Sequence, residues 1–282
     1  PNVAVLTSFL HHGENSGYKQ LLRYTAPKKV FGINEARTSN FVGTLLTRRY
    51  KWLSEFSAAA YARMRQIPLI QLLYAEEYFR FSCLLPSRAK IVATFHQPPE
   101  ILERELSSGD KSGRIYRLAH QLTKSRFKEL GGAIAITDGQ KCLLEKYIPS
   151  ERIACIPLGC HAADKIELSR NCKVQRQRDK FITVRNWQRD WDLYFRFVEL
   201  CRERRPTWKF ILVNRKLGPA LLDKVESLPN VMACLDVSDT DLAQFYRESA
   251  AQWLPLRCAA GSNAVNESLA YGCPVLTNTG IE

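Results

Sequence analysis

Short apolar runs alternate along the chain with longer stretches whose apolar positions recur at helical spacing. Runs of strand length fall at 3–9, 29–33, 69–74, 91–96, 133–137 and 153–158. A second series falls at 181–185, 210–214, 231–235, 251–254 and 274–277. Helical spacing fills the gaps, for example over 54–65, 114–130, 192–203 and 241–248. Strands that alternate with helices predict parallel, doubly wound sheets. The stretch 160–179 is polar and without period, and a second β-α alternation begins after it. We therefore expect two Rossmann-like domains, 1–165 and 175–282. Two such domains facing each other would hold ligands in a cleft at the carboxyl ends of both sheets.

Composition fits this division. The chain has 282 residues, 45% of them hydrophobic, enough for two domains of about 120–160 residues each. No apolar run approaches the roughly 18–20 residues that span a bilayer; the longest, 67–73 and 132–136, read as buried strands. Pro1-Asn2-Val3-Ala4-Val5-Leu6 lacks the basic start of a signal peptide and reads as a first strand, with a Met or tag removed. Nine cysteines occur without a Cys-x-x-Cys pair, mostly within apolar runs. Scattered thiols of this kind predict a reducing, cytoplasmic setting rather than disulfides or a zinc site.

Charge is uneven. Residues 1–150 hold 22 Lys and Arg against 12 Asp and Glu; the remainder holds 19 against 16. The first half thus faces a polyanion. Its clearest basic segment is Leu46-Thr47-Arg48-Arg49-Tyr50-Lys51-Trp52-Leu53, continuing to Arg63 and Arg65. Cations interleaved with aromatic residues suit an anionic membrane interface, peripheral at the inner face of the membrane. We expect Arg48, Arg49, Lys51 and Trp52 to form this membrane or acceptor surface. The same pattern also fits RNA, the less favoured polyanion, or a plainly solvated helix.

Chemistry concentrates at Gly261-Ser262-Asn263-Ala264-Val265-Asn266-Glu267-Ser268-Leu269-Ala270-Tyr271-Gly272-Cys273-Pro274. It reads as a small-residue loop, a short helix, a Gly stop and a strand opened by Pro. The free N–H groups of a helix N-terminus suit a diphosphate. Glu267 lies more than one turn into the helix, where a carboxylate could accept from two ribose hydroxyls. An ordinary β-loop-helix-β unit with Glu267 in solvent fits the same pattern. Two Asp-x-Asp triplets, Asp190-Trp191-Asp192 and Asp239-Thr240-Asp241, precede helices and read better as caps than as metal ligands. No Walker loop, Gly-x-Gly-x-x-Gly or Gly-x-Ser-x-Gly is present, which weighs against NTPase, dehydrogenase and hydrolase readings. His96 closes the run Ile91-Val92-Ala93-Thr94-Phe95, and Glu76 follows another strand. Strand carboxyl ends are where parallel sheets build sites, although a buried strand-end histidine is also a common structural group.

The segment from Glu267 to Leu276 resembles the donor signature of the retaining glycosyltransferases of the GT-B fold, the large nucleotide-sugar-dependent group 1 family. Members read Glu-Gly-Phe-Gly, four residues, then Glu-Ala-Met-Ala-x-Gly-x-Pro-Val-Val. The resemblance implies a GT-B architecture whose second domain is truncated or unusually small, since the chain stops at Glu282. It implies that Glu267 binds the donor ribose, with Gly261, Ser262 and Asn263 along the diphosphate and sugar. The family's first Glu, eight residues earlier, is Ala259 here, and Asn263 stands in for it. The stretch from Ala133 to Asp138 and then from Glu151 to His161 resembles the family's crossing into its second domain, with His161 replacing an Asp or Asn. Near Val184-Arg185-Asn186-Trp187-Gln188-Arg189 the family carries two cations for the diphosphate; Arg185 and Arg189 are the candidates here, with Lys216 a third. His11-His12-Gly13-Glu14-Asn15-Ser16-Gly17 resembles the family's first loop, implying Ser16 and Gly17 near the reacting groups, and His96 matches a strand-end His beside the donor sugar. The activity implied is transfer of a sugar from a nucleotide diphosphate donor to a glycan or lipid-linked acceptor, with retention, in cell-surface glycan synthesis, without metal or further cofactor. Related lipid-modifying enzymes dock on membranes through the first domain. Two alternatives stay open: a GT-B epimerase or phosphorylase, and a non-catalytic glycan- or nucleic-acid-binding protein on a transferase-like scaffold.

Overall fold

The structure, a computed structural model of the chain, describes residues 2–7, 21–22, 25–32, 41–76, 78, 88–107, 127–159, 175–184 and 187–279, without the side chains of 41–52, 105 and 107. The chain forms two compact units that meet between Leu158 and Gly159.

Among its described residues the first unit holds six parallel strands: β1 (Val3–Thr7), β2 (Lys29–Gly32), β3 (Leu69–Leu72), β4 (Lys90–Thr94), β5 (Gly132–Ala135) and β6 (Ile153–Cys155). Their order is β2-β1-β3-β4-β5-β6. β1 is buried along most of its length, as a central parallel strand covered on both faces must be. Helices α1 (Phe41–Met64), α2 (Pro99–Ser107) and α3 (Asp138–Leu144) accompany the sheet. Leu6, Ile70, Leu72, Phe95, Leu102 and Leu144 share one core with Ala58 and Ala62 of α1. The end of β2 lies so close to β1 that a Cβ on Gly32 would stand 2.1 Å from the Thr7 carbonyl oxygen.

The second unit holds β7 (Gln177–Val184), β8 (Lys209–Asn214), β9 (Val231–Leu235), β10 (Ser249–Trp253) and β11 (Val275–Leu276). Their order is β11-β10-β7-β8-β9, all parallel. Helices α4 (Trp191–Arg204), α5 (Pro219–Glu226), α6 (Asp239–Glu248) and α7 (Asn263–Ala270) connect them. Successive strand residues point to opposite faces, and the two cores follow from this. Phe181, Phe210 and Leu212 pack with Tyr194, Phe195 and Val198 of α4; Ile182, Val184, Ile211 and Val213 pack with Ala243 and Tyr246 of α6.

Three expectations change. β7 begins at Gln177, inside the stretch expected as linker, because its first residues are solvent-exposed and carry no apolar pattern. Only the end of the helix expected over 114–130 lies within the described residues, and Phe127–Glu129 is a single 3₁₀ turn there. Ser238, not Asp239, caps α6: its Oγ accepts from Asp241 N at 3.1 Å and donates to Asp241 Oδ2 at 2.7 Å, a reciprocal cap that an Asp at the N-cap could not close. Among the described residues, no helix is long and apolar enough to cross a membrane.

Candidate functional site

In the second sheet the chain runs from β7 outward to β9, then returns to place β10 on the other side of β7. Doubly wound sheets bind ligands at such a reversal, outside the carboxyl ends of the strands, here β7 and β10. The loops that leave these two strands are bonded to each other. Asp190 N donates to Pro255 O at 3.1 Å, Arg257 N donates to Gln188 O at 3.0 Å, and Arg189 and Leu256 form an antiparallel bridge. From the loop after β11, Asn278 clamps the same segment: its Oδ1 accepts from Leu256 N at 2.9 Å and its Nδ2 donates to Leu256 O at 3.0 Å. These bonds tie the two loops and the segment after β11 to one another.

Arg189 is buried in this edge. Its guanidinium donates to Val184 O at 2.7 Å and to Trp187 O at 3.2 Å, so it braces the turn that Gln188 completes at φ 55°. Trp187 is carried outward on that turn, 56% exposed. Arg185 lies outside the described residues. Lys216 and Arg215 follow β8 and are exposed, as is Arg257 beyond β10. These three are cations that a phosphate could reach at this edge. Asp190 caps α4, accepting from Leu193 N at 3.0 Å, and Asp192 stands 3.8 Å from Arg257. Among the described residues no group of three His, Cys, Asp or Glu could hold a metal ion.

The loop after β10 turns through Gly261 at φ 55°, a conformation that suits glycine, and delivers Ser262 as the N-cap of α7. Gly261, Ser262 and Asn263 are half-buried. No side chain caps α7 at this end, whereas Thr137, Asp190 and Ser238 cap their helices. The opposite end is closed. Arg176 donates to Gly272 O at 2.6 Å and to Ser249 O at 2.8 Å, and Ser268 Oγ donates to Cys273 O at 2.9 Å. A cation at a helix C-terminus also complements the dipole. Glu267 lies on α7 and is only 6% exposed, which decides against the solvated reading. The structure thus brings Glu267 and the Gly261–Asn263 loop together on α7 and its approach, and bonds Arg189's turn to the same loop.

In the first unit the reversal lies between β1 and β3. Tyr78 OH donates to Thr7 O at 2.7 Å across it. His96 lies two residues past β4, with its ring 4.8 Å from that of Tyr74. Its Nε2 is bonded to the Leu73 carbonyl oxygen. A carbonyl only accepts, so Nε2 carries the proton and Nδ1 the lone pair. Desolvation outweighs this bond and pushes the His96 pKa down to about 3, leaving the ring neutral near pH 7. Glu76 Oε1 accepts from His96 N and from Gln97 N, the latter at 2.8 Å. Buried Gln140 accepts from Ile136 N and donates to Gln97 O, each at 2.7 Å. Glu76 is therefore a main-chain brace for the His96 strap, as is Gln140. Ser16 and Gly17 lie outside the described residues, as do the side chains of Arg48, Arg49, Lys51 and Trp52. Sequence reasoning missed Trp187, Gln140 and Asn278; of these, only Asn278 carried a signal, as a polar residue just past a buried strand.

Two parallel sheets, each with its reversal, invite comparison with known folds. A trehalose 6-phosphate synthase from Burkholderia multivorans aligns over 98% of this chain and 83% of its own, with a TM-score of 0.67 at 11% identity. The chain has the GT-B fold. Sucrose-phosphate synthase from Thermosynechococcus elongatus aligns over 98% and 81%, with a TM-score of 0.65 at 13% identity. An Anabaena protein crystallised with UDP-glucose aligns over 98% and 79%, with a TM-score of 0.60 at 13% identity. No protein-family model matches the sequence, and no curated protein matches it. The GT-B architecture implied by the donor-like segment is therefore present, at an identity to these structures that speaks to fold alone.

Proposed function

We propose that this GT-B chain is a glycosyltransferase that moves a sugar from a nucleotide diphosphate donor to a glycan or lipid-linked acceptor. The observation that carries the reading is Glu267: a carboxylate only 6% exposed, on the helix that leaves the reversal of the second sheet. A carboxylate has acceptor sites for more than one donor, and two ribose hydroxyls are donors of the right spacing. The open N-terminal end of α7 would face the diphosphate, with Lys216, Arg215 and Arg257 as neutralising cations. The relatives in fold include two sugar-phosphate synthases and a protein crystallised with UDP-glucose, which supports a nucleotide-sugar donor.

In the proposed reaction the bond between the sugar and the diphosphate breaks as the acceptor hydroxyl forms its own bond on the same face. The hydroxyl proton passes to a departing phosphate oxygen, and retention follows. The chain's role is placement and stabilisation of charge on the leaving group. His96, neutral near pH 7, would hydrogen-bond to sugar or acceptor rather than act as a cation, and Ser16 and Gly17 would lie near it.

Arg189's bonds to the main chain, together with Ala259, favour a second reading, in which the scaffold binds glycan without a nucleotide donor. Calorimetry with UDP and GDP separates the two. Micromolar binding that weakens by about 1.5–3 kcal/mol in Glu267→Ala, the usual size for a hydrogen bond to a charged group, supports the transferase. Absence of binding to either nucleotide sinks it and leaves the scaffold.

A further inference from the structure

Four strands lie at the edges of the two sheets: β2 and β6 in the first, β9 and β11 in the second. An edge strand presents unpaired main-chain groups, and proteins guard such edges with short strands, lysines, prolines or bulges. β2 opens on exposed Lys29, β6 has three residues and β11 two. β9 has none of these devices. Val231-Met232-Ala233-Cys234-Leu235 is five residues long, carries no charge or proline, and keeps an unbroken register with β8. Met232 is 53% exposed and Leu235 44%. The hydrogen bonds at its two ends show which of its main-chain groups point outward. Asn230 O accepts from Phe210 N and Asp236 N donates to Asn214 O, each at 2.8 Å. Main-chain groups alternate in direction along a strand, so Met232 and Cys234 bond to β8 while Ala233 and Leu235 turn N–H and C=O to the outer side. Val231 N donates to Leu228 O at 3.0 Å, which leaves the Val231 carbonyl on that side.

Side chains alternate as well. Val231 and Ala233 pack on the core that α4 covers, and Cys234 on the core that α6 covers. Both cores thus run out to this edge, and a strand that extends it must be apolar on both faces. That requirement disfavours an ordinary half-solvated strand, and β9 itself meets it. We propose that the second unit pairs with a second copy of this chain through β9, antiparallel about Ala233, joining the two five-stranded sheets into one. In that register the two Ala233 residues exchange both of their N–H···O bonds, and Leu235 N of each copy donates to Val231 O of the other. Leu235 then faces Val231 and Met232 faces Cys234, so each exposed apolar side chain meets an apolar one. Charge does not oppose the contact. Residues 151–282 hold 19 Lys and Arg against 16 Asp and Glu, whereas the basic surplus lies in the first half. This inference goes beyond the transferase reading and stands whether or not the chain moves a sugar.

Sedimentation velocity of the full chain over a micromolar concentration series tests the pairing. The wild type should sediment as a reversible dimer. The double variant Met232→Lys, Leu235→Lys places cations at the two exposed positions, where they guard an edge, and should weaken dimerisation at least about tenfold. Urea unfolding of the same variant should show that the fold is kept, since both side chains are exposed. A second variant reads the register directly. Met232→Cys puts a thiol opposite Cys234 of the second copy, with Cα atoms about 4.5 Å apart as in a non-hydrogen-bonded pair, close enough for a disulfide. Mild oxidation should give a covalent dimer whose linked peptides join positions 232 and 234, and Cys234→Ser in the same background should abolish that link. A wild type that stays monomeric throughout the series overturns the proposal. So does a dimer that the double lysine variant leaves unchanged, or one in which oxidation never joins 232 to 234.

Discussion

His96 has a neutral ring because solvent is withdrawn from it, and this gives a pH signature with a fixed sign. Its folded pKa of about 3 lies below the ordinary value of 6.5. Between these values the unfolded chain binds the proton and the folded chain does not, so stability falls as pH drops from 6.5 toward 3. His96→Ala should flatten that stretch of the acid limb in urea unfolding. It should also cost about 1–3 kcal/mol at neutral pH, because the Leu73 carbonyl loses its donor. Arg189 makes a second test. A lysine has one ammonium in place of the planar fork and cannot reproduce bonds to both Val184 O and Trp187 O. Arg189→Lys should therefore lower unfolding stability by about 1–3 kcal/mol; unchanged stability with weakened UDP binding would return Arg189 to the phosphate. The helix that carries Glu267 was legible in the sequence because a small-residue loop precedes it and a Gly stop follows it. The bracing role of Arg189 was not, because a guanidinium that bonds main-chain carbonyls two and five residues earlier leaves no pattern in the sequence.

At the scale of elements, all eleven strands among the described residues were legible, since buried parallel strands read as apolar runs. Their ends were not: β4 stops at Thr94, and Phe95 is buried as loop, so the apolar run overshoots the strand. α1 begins at Phe41, thirteen residues before its expected start, because basic and aromatic residues hide its helical period. Close packing between β1 and β2 yields a prediction that propensity alone would miss. At Gly32 an added Cβ meets a main-chain carbonyl oxygen at 2.1 Å, which cannot rotate aside. Gly32→Ala should cost about 1–3 kcal/mol or more in urea unfolding, by overpacking. Gly218, the N-cap of α5 with φ −68°, has nothing within 4 Å of the same atom. Gly218→Ala should change stability by less than about 1 kcal/mol, because the loss of unfolded-chain freedom is offset by the poorer N-cap. Similar losses at both positions would mean that conformational preference, rather than the approach of β1, governs these glycines.

Across the whole molecule, the basic surplus and the proposed donor residues fall on different units. The first unit carries the basic surplus, α1 and the His96 strap; the second carries Glu267, the loop before α7 and the exposed cations after β8 and β10. Each has its own buried core, so each should fold alone. If α7 and its approach hold the nucleotide, residues 159–282 should bind UDP within about tenfold of the full chain, a difference of about 1.4 kcal/mol. Residues 1–158 should bind none, yet should be retained longer on a cation exchanger. Loss of UDP binding from a cooperatively folded 159–282 fragment would show that the first unit supplies an indispensable element of the donor site. In that event the His96 strap, just past β4 and neutral near pH 7, is the first place to look for it.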